Sequence, residues 1–189
     1  IITNRDRAKR LIMTSSYYDL INGYKSVFML SNDRFKDNVK LEDIYIFSFI
    51  DKGIQSITMK YSLMIETLFK TRLSYVISNH LGVHQDDYLH ARYYKRQINH
   101  LSFAKVKQEI NKQLDICNAK QPTKYYLKYH NHVPPWILFK NISFGSAINI
   151  FRLLSTKHKR EVANLLLPTD LITCKDKIEL LINTLEAIR

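Results

Sequence analysis

Glycine and proline are scarce in this chain, with four of each among 189 residues. So few turn signals disfavour an all-β sandwich and a dinucleotide fold built on glycine loops, and helices become the default. Cysteine is scarcer still. Cys117 and Cys174 cannot form a disulfide framework or a four-ligand zinc site, and they read as two ordinary buried thiols of a protein in a reducing cytoplasm. Long apolar runs are lacking: uncharged stretches such as Asn141 to Phe151 fall well short of the roughly 18 residues of a membrane span. No secretory signal opens the chain. It begins at Ile1 without a methionine, so residues missing from that end are expected.

Acidic residues are also in deficit. Asp and Glu total 17 against 29 Lys and Arg, which gives a net charge of +12 and a pI near 9.6, and phosphate-bearing partners come first. Hydrophobic residues at 46% and aromatics at 12% are incompatible with a disordered basic tail and enough to pack a core. One all-α domain over residues 1–189, cut at one or both ends, is the expectation.

Asn4 can cap a first helix running to about Thr14. A short apolar-aromatic piece follows, Tyr17-Tyr18-Asp19-Leu20-Ile21-Asn22, stopped by Gly23. Ile50, Ile54, Ile57, Tyr61, Met64, Ile65 and Leu68 recur at three- and four-residue steps, and this predicts a long core helix with those residues inward. It can start near Leu41-Glu42-Asp43 and end at Gly82; at roughly 40 residues a kink or split is expected. Between His90 and His132 nine basic residues face only Glu109 and Asp115. Within this basic-aromatic subregion Phe103, Val106, Ile110 and Leu114 make one apolar stripe with lysines opposite, flanked by Tyr93-Tyr94 and Tyr125-Tyr126.

Pro134-Pro135 suit a helix start, with Trp136-Ile137-Leu138-Phe139 as a short buried turn. Further helices are predicted from Ser146 to Leu154 and from Lys157 to Leu167, the latter stopped by Pro168. A last helix begins after Thr173, which forms a capping-box-like pair with Asp176, and turns Ile178, Leu181, Ile182, Leu185 and Ile188 inward. It is expected to continue past Arg189.

No glycine-rich phosphate loop, His-Glu-x-x-His helix or Gly-x-Ser-x-Gly elbow occurs. His130 and His132 stand close together without an acidic pair, so no metal site is assigned. What remains is nucleic-acid chemistry, with RNA favoured over duplex DNA: lysine and arginine neutralise phosphates and tyrosines stack on unpaired bases. The candidate RNA-binding residues are Arg92, Lys95, Arg96, Lys105, Lys107, Tyr93 and Tyr94. The competing reading makes these cations a solvated helix face and the tyrosines core.

Three runs in order carry a family resemblance: Tyr17-Tyr18-Asp19-Leu20-Ile21-Asn22-Gly23-Tyr24; Phe47-Ser48-Phe49-Ile50-Asp51-Lys52 leading to Ile65-Glu66; and Pro135-Trp136-Ile137-Leu138-Phe139-Lys140-Asn141-Ile142-Ser143-Phe144-Gly145. Over nearly its whole length the chain resembles the Abi-like abortive-infection family of bacterial phage-defence proteins. That family belongs to the HEPN superfamily of helical nucleases. The resemblance therefore implies a HEPN-like helical bundle, a homodimer, no cofactor, and metal-independent RNA cleavage through an arginine followed four to six residues later by a histidine. Leu185-Glu186-Ala187-Ile188-Arg189 looks like the beginning of that motif, which makes Arg189 the motif arginine and places its histidine past residue 189. A histidine near neutral pKa can move the proton of the ribose 2′-OH or of the leaving 5′-oxygen while a guanidinium steadies the phosphorane-like transition state.

Arg152 and His158 have the same spacing, but Leu153 follows that arginine where the motif prefers a polar residue. Gln55 stands where the family pattern has an arginine. Glu66 matches a family acid and reads as the structural partner of a basic residue. The expectation is a toxin-like, dimeric, cytoplasmic RNA endonuclease of phage defence, with the long and C-terminal helices packed as an antiparallel pair. The alternatives are a non-catalytic RNA-binding member of the same fold, restrained by a small RNA, and a helix bundle acting at a membrane surface or on another protein.

Overall fold

The computed structural model describes residues 4–30 and 34–189, and over these the protein is all-α, with one long helix, shorter helices and two small β-ribbons. The chain divides into two compact units, one through Tyr61 and one from Ser62 to Arg189.

In the first unit, α1 (Arg5–Ser15) is capped as expected: the Asn4 side chain accepts a 3.0 Å bond from the Arg7 amide, satisfying one of the free donors of the first turn. A π-helical segment, Tyr18–Asn22, runs straight into α2 (Gly23–Phe28). The stop expected at Gly23 does not occur. Gly23 has φ −64° and ψ −33°, ordinary right-handed helix, because glycine permits the left-handed conformation without compelling it. An antiparallel ribbon follows, β1 (Met29–Leu30) with β2 (Arg34–Phe35). Ala8, Leu20, Leu41 and Ile44 form a small core, with Tyr24 and Phe28 packed on it. Tyr24 and Gln55 both hold Asp51, at 2.9 and 2.7 Å, so Gln55 fills a structural place beside that acid. The shared carboxylate raises the Tyr24 phenol pKa.

Helix α3 spans Leu41–Leu81 without the expected break. It ends where glycine was expected to end it, at Gly82 with φ +102°, a conformation that costs a residue with a β-carbon far more. The expected inward face is corrected. In the first unit Ile50, Ile54, Ile57 and Tyr61 are exposed, and in the second so are Met64, Ile65 and Leu68. The core residues of α3 are instead Leu41 and Ile44 in its first turn and Phe69, Leu73, Val76, Ile77 and Leu81 in its last turns. Periodicity identifies an apolar face and says nothing about what covers it.

The second unit continues with α4 (Gln85–Tyr88), a 3₁₀ turn at Ala91–Tyr93, and a hairpin of β3 (Gln97–Ile98) and β4 (Leu101–Ser102), turned through Asn99 at φ +51°. Then come α5 (Phe103–Cys117), α6 (Thr123–His130), α7 (Pro135–Asn141), α8 (Phe144–Leu153), α9 (Thr156–Leu166) and α10 (Cys174–Ile188). The expected stripe of α5 is buried at Phe103, Val106, Ile110 and Leu114. Pro135 opens α7, and Ile137, Leu138 and Phe139 are buried, but Trp136 is 46% exposed and so departs from the expected buried turn. Ser143 caps α8 through the Ser146 amide. The Thr173 hydroxyl accepts from the Asp176 amide and donates to its carboxylate at 2.6 Å, the reciprocal cap expected of α10. The main partners of α10 are α9 and α8, which corrects the expected pairing with the long helix. Leu181 and Leu185 supply its buried contacts. Both thiols are half-buried and free, where buried ones were expected. No helix among the described residues is long and apolar enough to cross a membrane.

Candidate nucleic-acid interface

The candidate residues between positions 92 and 107 fall into three settings. At the 3₁₀ turn the Arg92 guanidinium lies 4.6 Å from the Tyr93 ring centroid and donates to its hydroxyl, so an exposed cation sits on a half-buried ring that packs against the core. Tyr94 is core. Its ring stacks on Phe103 at 4.4 Å and its hydroxyl donates to the Tyr88 carbonyl at 2.7 Å, while burial pushes its pKa well up. Tyr94 is thus buried with one ring face on Phe103, and Tyr93 is the member of the pair nearer solvent.

Lys95, Arg96 and Lys105 are exposed. The Lys95 amide donates to the Leu153 carbonyl at 2.7 Å, which ties the strand after the 3₁₀ turn to the end of α8. A basic cluster results. Lys159, itself buried, donates to the Arg152 carbonyl, and its pKa is lowered by burial first and then by the charges of Lys95 and Arg152. Lys107 is half-buried and donates to the Leu89 carbonyl at 3.1 Å. It lines a polar cavity of about 390 Å³ together with Asn111, Asn131 and two imidazoles, His84 and His132, whose centroids are 4.1 Å apart. Among the described residues no group of three or more His, Cys, Asp or Glu could hold a metal ion.

Arg189 closes α10 and is exposed. Its guanidinium packs on Gly145, in the Ser-Phe-Gly block at the start of α8. Arg189 and the Lys95 cluster therefore flank opposite ends of one ten-residue helix, about 15 Å long at 1.5 Å per residue. Arg152 and His158 are otherwise engaged. Arg152 pairs with Glu186 at 2.7 Å, and His158 meets the Ser155 hydroxyl at 2.9 Å with its ring beside that of His80. Glu66 is the structural partner it resembled, 2.6 Å from the Lys70 ammonium, which also donates to the Ile142 carbonyl.

The residues to which sequence reasoning gave no individual role lie on α6 and α7. Tyr125 and Tyr129 are 49% and 62% exposed, one helical turn apart, and Trp136 joins them through Tyr126. The signal was available: tyrosines four apart with lysines immediately before each, at 124 and 128.

A family model described as Abi-like protein matches residues 10–189. No curated protein and no solved structure matches the chain.

Proposed function

Because the chain belongs to the Abi-like protein family, we propose that it serves phage defence by acting on RNA, as a HEPN-type, metal-independent endoribonuclease. One observation carries this reading: Arg189, exposed at the end of α10, and the basic cluster of Lys95, Arg152 and Lys159 flank the two ends of α8. A strand whose backbone is held by Lys95, the exposed and unengaged member of that cluster, and by the adjoining Arg96 can present a phosphodiester to Arg189. There a guanidinium stabilises the extra charge of the phosphorane as the 2′-oxygen attacks and the 5′-oxygen leaves. The motif histidine would move the protons.

The protein acts in the cytoplasm as a homodimer in this reading, and the exposed apolar residues of α3 are the surface a second copy covers. In the first unit Ile46, Phe49, Ile50, Ile54 and Ile57 of α3 are each more than half exposed, an apolar face that pairing with a second copy would take out of water.

The test is RNA degradation in EDTA by the full chain and by Arg189→Ala. Cleavage that persists in EDTA and is lost in the variant is expected, and unchanged cleavage by the variant overturns the assignment. Tight RNA binding without cleavage would favour the second reading, an RNA-binding scaffold. That reading draws on Arg152 and His158, an Arg-His pair of the motif's spacing, being engaged with Glu186, Ser155 and His80.

A further inference from the structure

Resting on the reading that this protein binds RNA, we propose that the outer face of α6 and the adjoining Trp136 form a stacking platform for unpaired bases, a site distinct from Arg189 and from the Lys95 cluster.

Charge comes first. Residues 116–160 contain no Asp or Glu and carry Lys120, Lys124, Lys128, Lys140, Arg152, Lys157, Lys159 and Arg160. Arg152 is taken up by Glu186 and Lys159 is buried, but Lys120, Lys124 and Lys128 are exposed on and just before α6, and a phosphate backbone following that helix meets attraction with no acid of the segment to oppose it. The aromatic side chains stand within that field. Tyr125 and Tyr129 lie 4.7 Å apart by centroid, and the Lys128 ammonium sits 5.1 Å from the Tyr129 ring.

Trp136 extends the row. Its indole N–H donates to the Tyr126 hydroxyl at 3.3 Å, and the two rings are 6.4 Å apart. It rises from the first turn of α7, whose neighbouring Pro135 and Ile137 are buried, so the indole is anchored from below and open above. Pre-positioned rings of this kind bind without first losing side-chain freedom. Neither the fold nor the core uses these open faces: buried aromatic neighbours such as Phe139 do the packing.

Beside Trp136 a largely apolar groove of about 500 Å³ runs to Leu63, Thr67 and Thr71 of α3, with Phe139 and Lys140 on its other wall. The Thr67 and Thr71 hydroxyls donate to carbonyls of their own helix at 2.8 and 2.7 Å, which leaves their oxygen lone pairs able to accept from a base N–H. Glu66 lines the same groove, but Lys70 neutralises it. The groove thus suits a base turned off the strand at the end of the aromatic row. Only an unpaired strand offers ring faces; a duplex shows this surface base edges and phosphates.

Trp136 is the single tryptophan of the chain, so its emission reports on the site directly. A single-stranded RNA 12-mer of mixed sequence, end-labelled, is titrated into the full chain beside the same RNA annealed to its complement, with label anisotropy giving total binding and Trp136 emission giving stacking. Single-stranded RNA is expected to quench Trp136 and the duplex to leave it unchanged. The double variant Tyr125→Ala with Tyr129→Ala is expected to weaken single-strand binding roughly tenfold or more while duplex binding stays the same. RNA binding by anisotropy with unchanged Trp136 emission, or equal quenching by the duplex, overturns the platform and leaves the proposed function standing. No RNA binding by either readout overturns both.

Discussion

The Arg189 guanidinium occupies the space a side chain would take at Gly145. A β-carbon on that glycine would stand 3.0 Å from Arg189 Nε and 3.1 Å from Cζ. Gly145 lies in the first turn of α8 with no unusual φ, so close approach, and not backbone freedom, is what an alanine there would disturb. The Ser-Phe-Gly block, part of the run that carried the family resemblance most specifically, and Arg189, the residue that resemblance implied as motif arginine, are in contact.

Gly145→Ala separates stability from function. The methyl favours helix by about 0.5–1 kcal/mol and pushes aside the end of a flexible side chain. Thermal denaturation is expected to show an unchanged or slightly raised Tm, while RNA cleavage falls toward the level of Arg189→Ala. A variant that cleaves like the parent would show that the placement of Arg189 on α8 is irrelevant to activity.

Replacing Lys95, Arg96, Lys105 and Lys107 together with Ala is expected to weaken RNA affinity and flatten its dependence on salt. Each phosphate contact to a single strand contributes about 0.7 to the slope of log K against log salt. Lys107 is tied to the Leu89 carbonyl, so three free cations predict a slope smaller by about 2. Titrations at four salt concentrations measure it, and an unaltered slope would make this segment a solvated face only.

Ile54→Lys with Ile57→Lys tests the apolar surface of α3. Both positions are 59% exposed, so the charges burden an interface and not the core of the chain. Light scattering after size exclusion is expected to change from dimer to monomer with helix content by circular dichroism preserved. A parent protein that is monomeric at every concentration would sink the assignment.

His158 gives a pH dependence of stability with a definite sign. Burial first, then the charges of His80 and Lys157, lower its pKa from the usual 6.5, with Glu161 opposing. The folded protein therefore prefers the neutral ring, and the unfolded chain binds more protons as pH falls. The contribution of His158 is complete above about pH 6.5 and is lost progressively toward its lower folded value. Melting temperature is expected to decline as pH falls below 6.5, less steeply in His158→Gln, where the amide can keep the contact to Ser155.

Local signals in the sequence proved dependable where one side chain meets one backbone group. Asn4 at α1, Thr173 with Asp176 at α10, and Gly82 at the end of α3 each satisfy or terminate a helix within a few residues. The stripe of α5 was legible for the same reason that its lysines were: both faces of that helix differ. Legibility fails where the outcome depends on distant parts of the chain. Tyr93 and Tyr94 are the same residue type in adjacent positions, and only the arrival of Phe103 and Tyr88 makes one of them core. Helix α3 is apolar on several sides, so its periodicity could not choose between Ile54, which is exposed, and Leu73, which is fully buried. Trp136 looked like core because it sits in an apolar run, whereas its indole N–H finds a partner in Tyr126 at the surface.

The exposed apolar residues of α3 would also make expression level a physical variable of a chain that pairs through them. If a second copy is what shields Ile46, Phe49, Ile50, Ile54 and Ile57, then association and folding stability are linked by mass action, and each tenfold rise in chain concentration adds about 1.4 kcal/mol per mole of dimer formed. On that condition a cell making few copies would leave the chain open to proteolysis, and one making many would hold it closed. Synthesis rate would then act as a dosage threshold set by the surface chemistry of one helix.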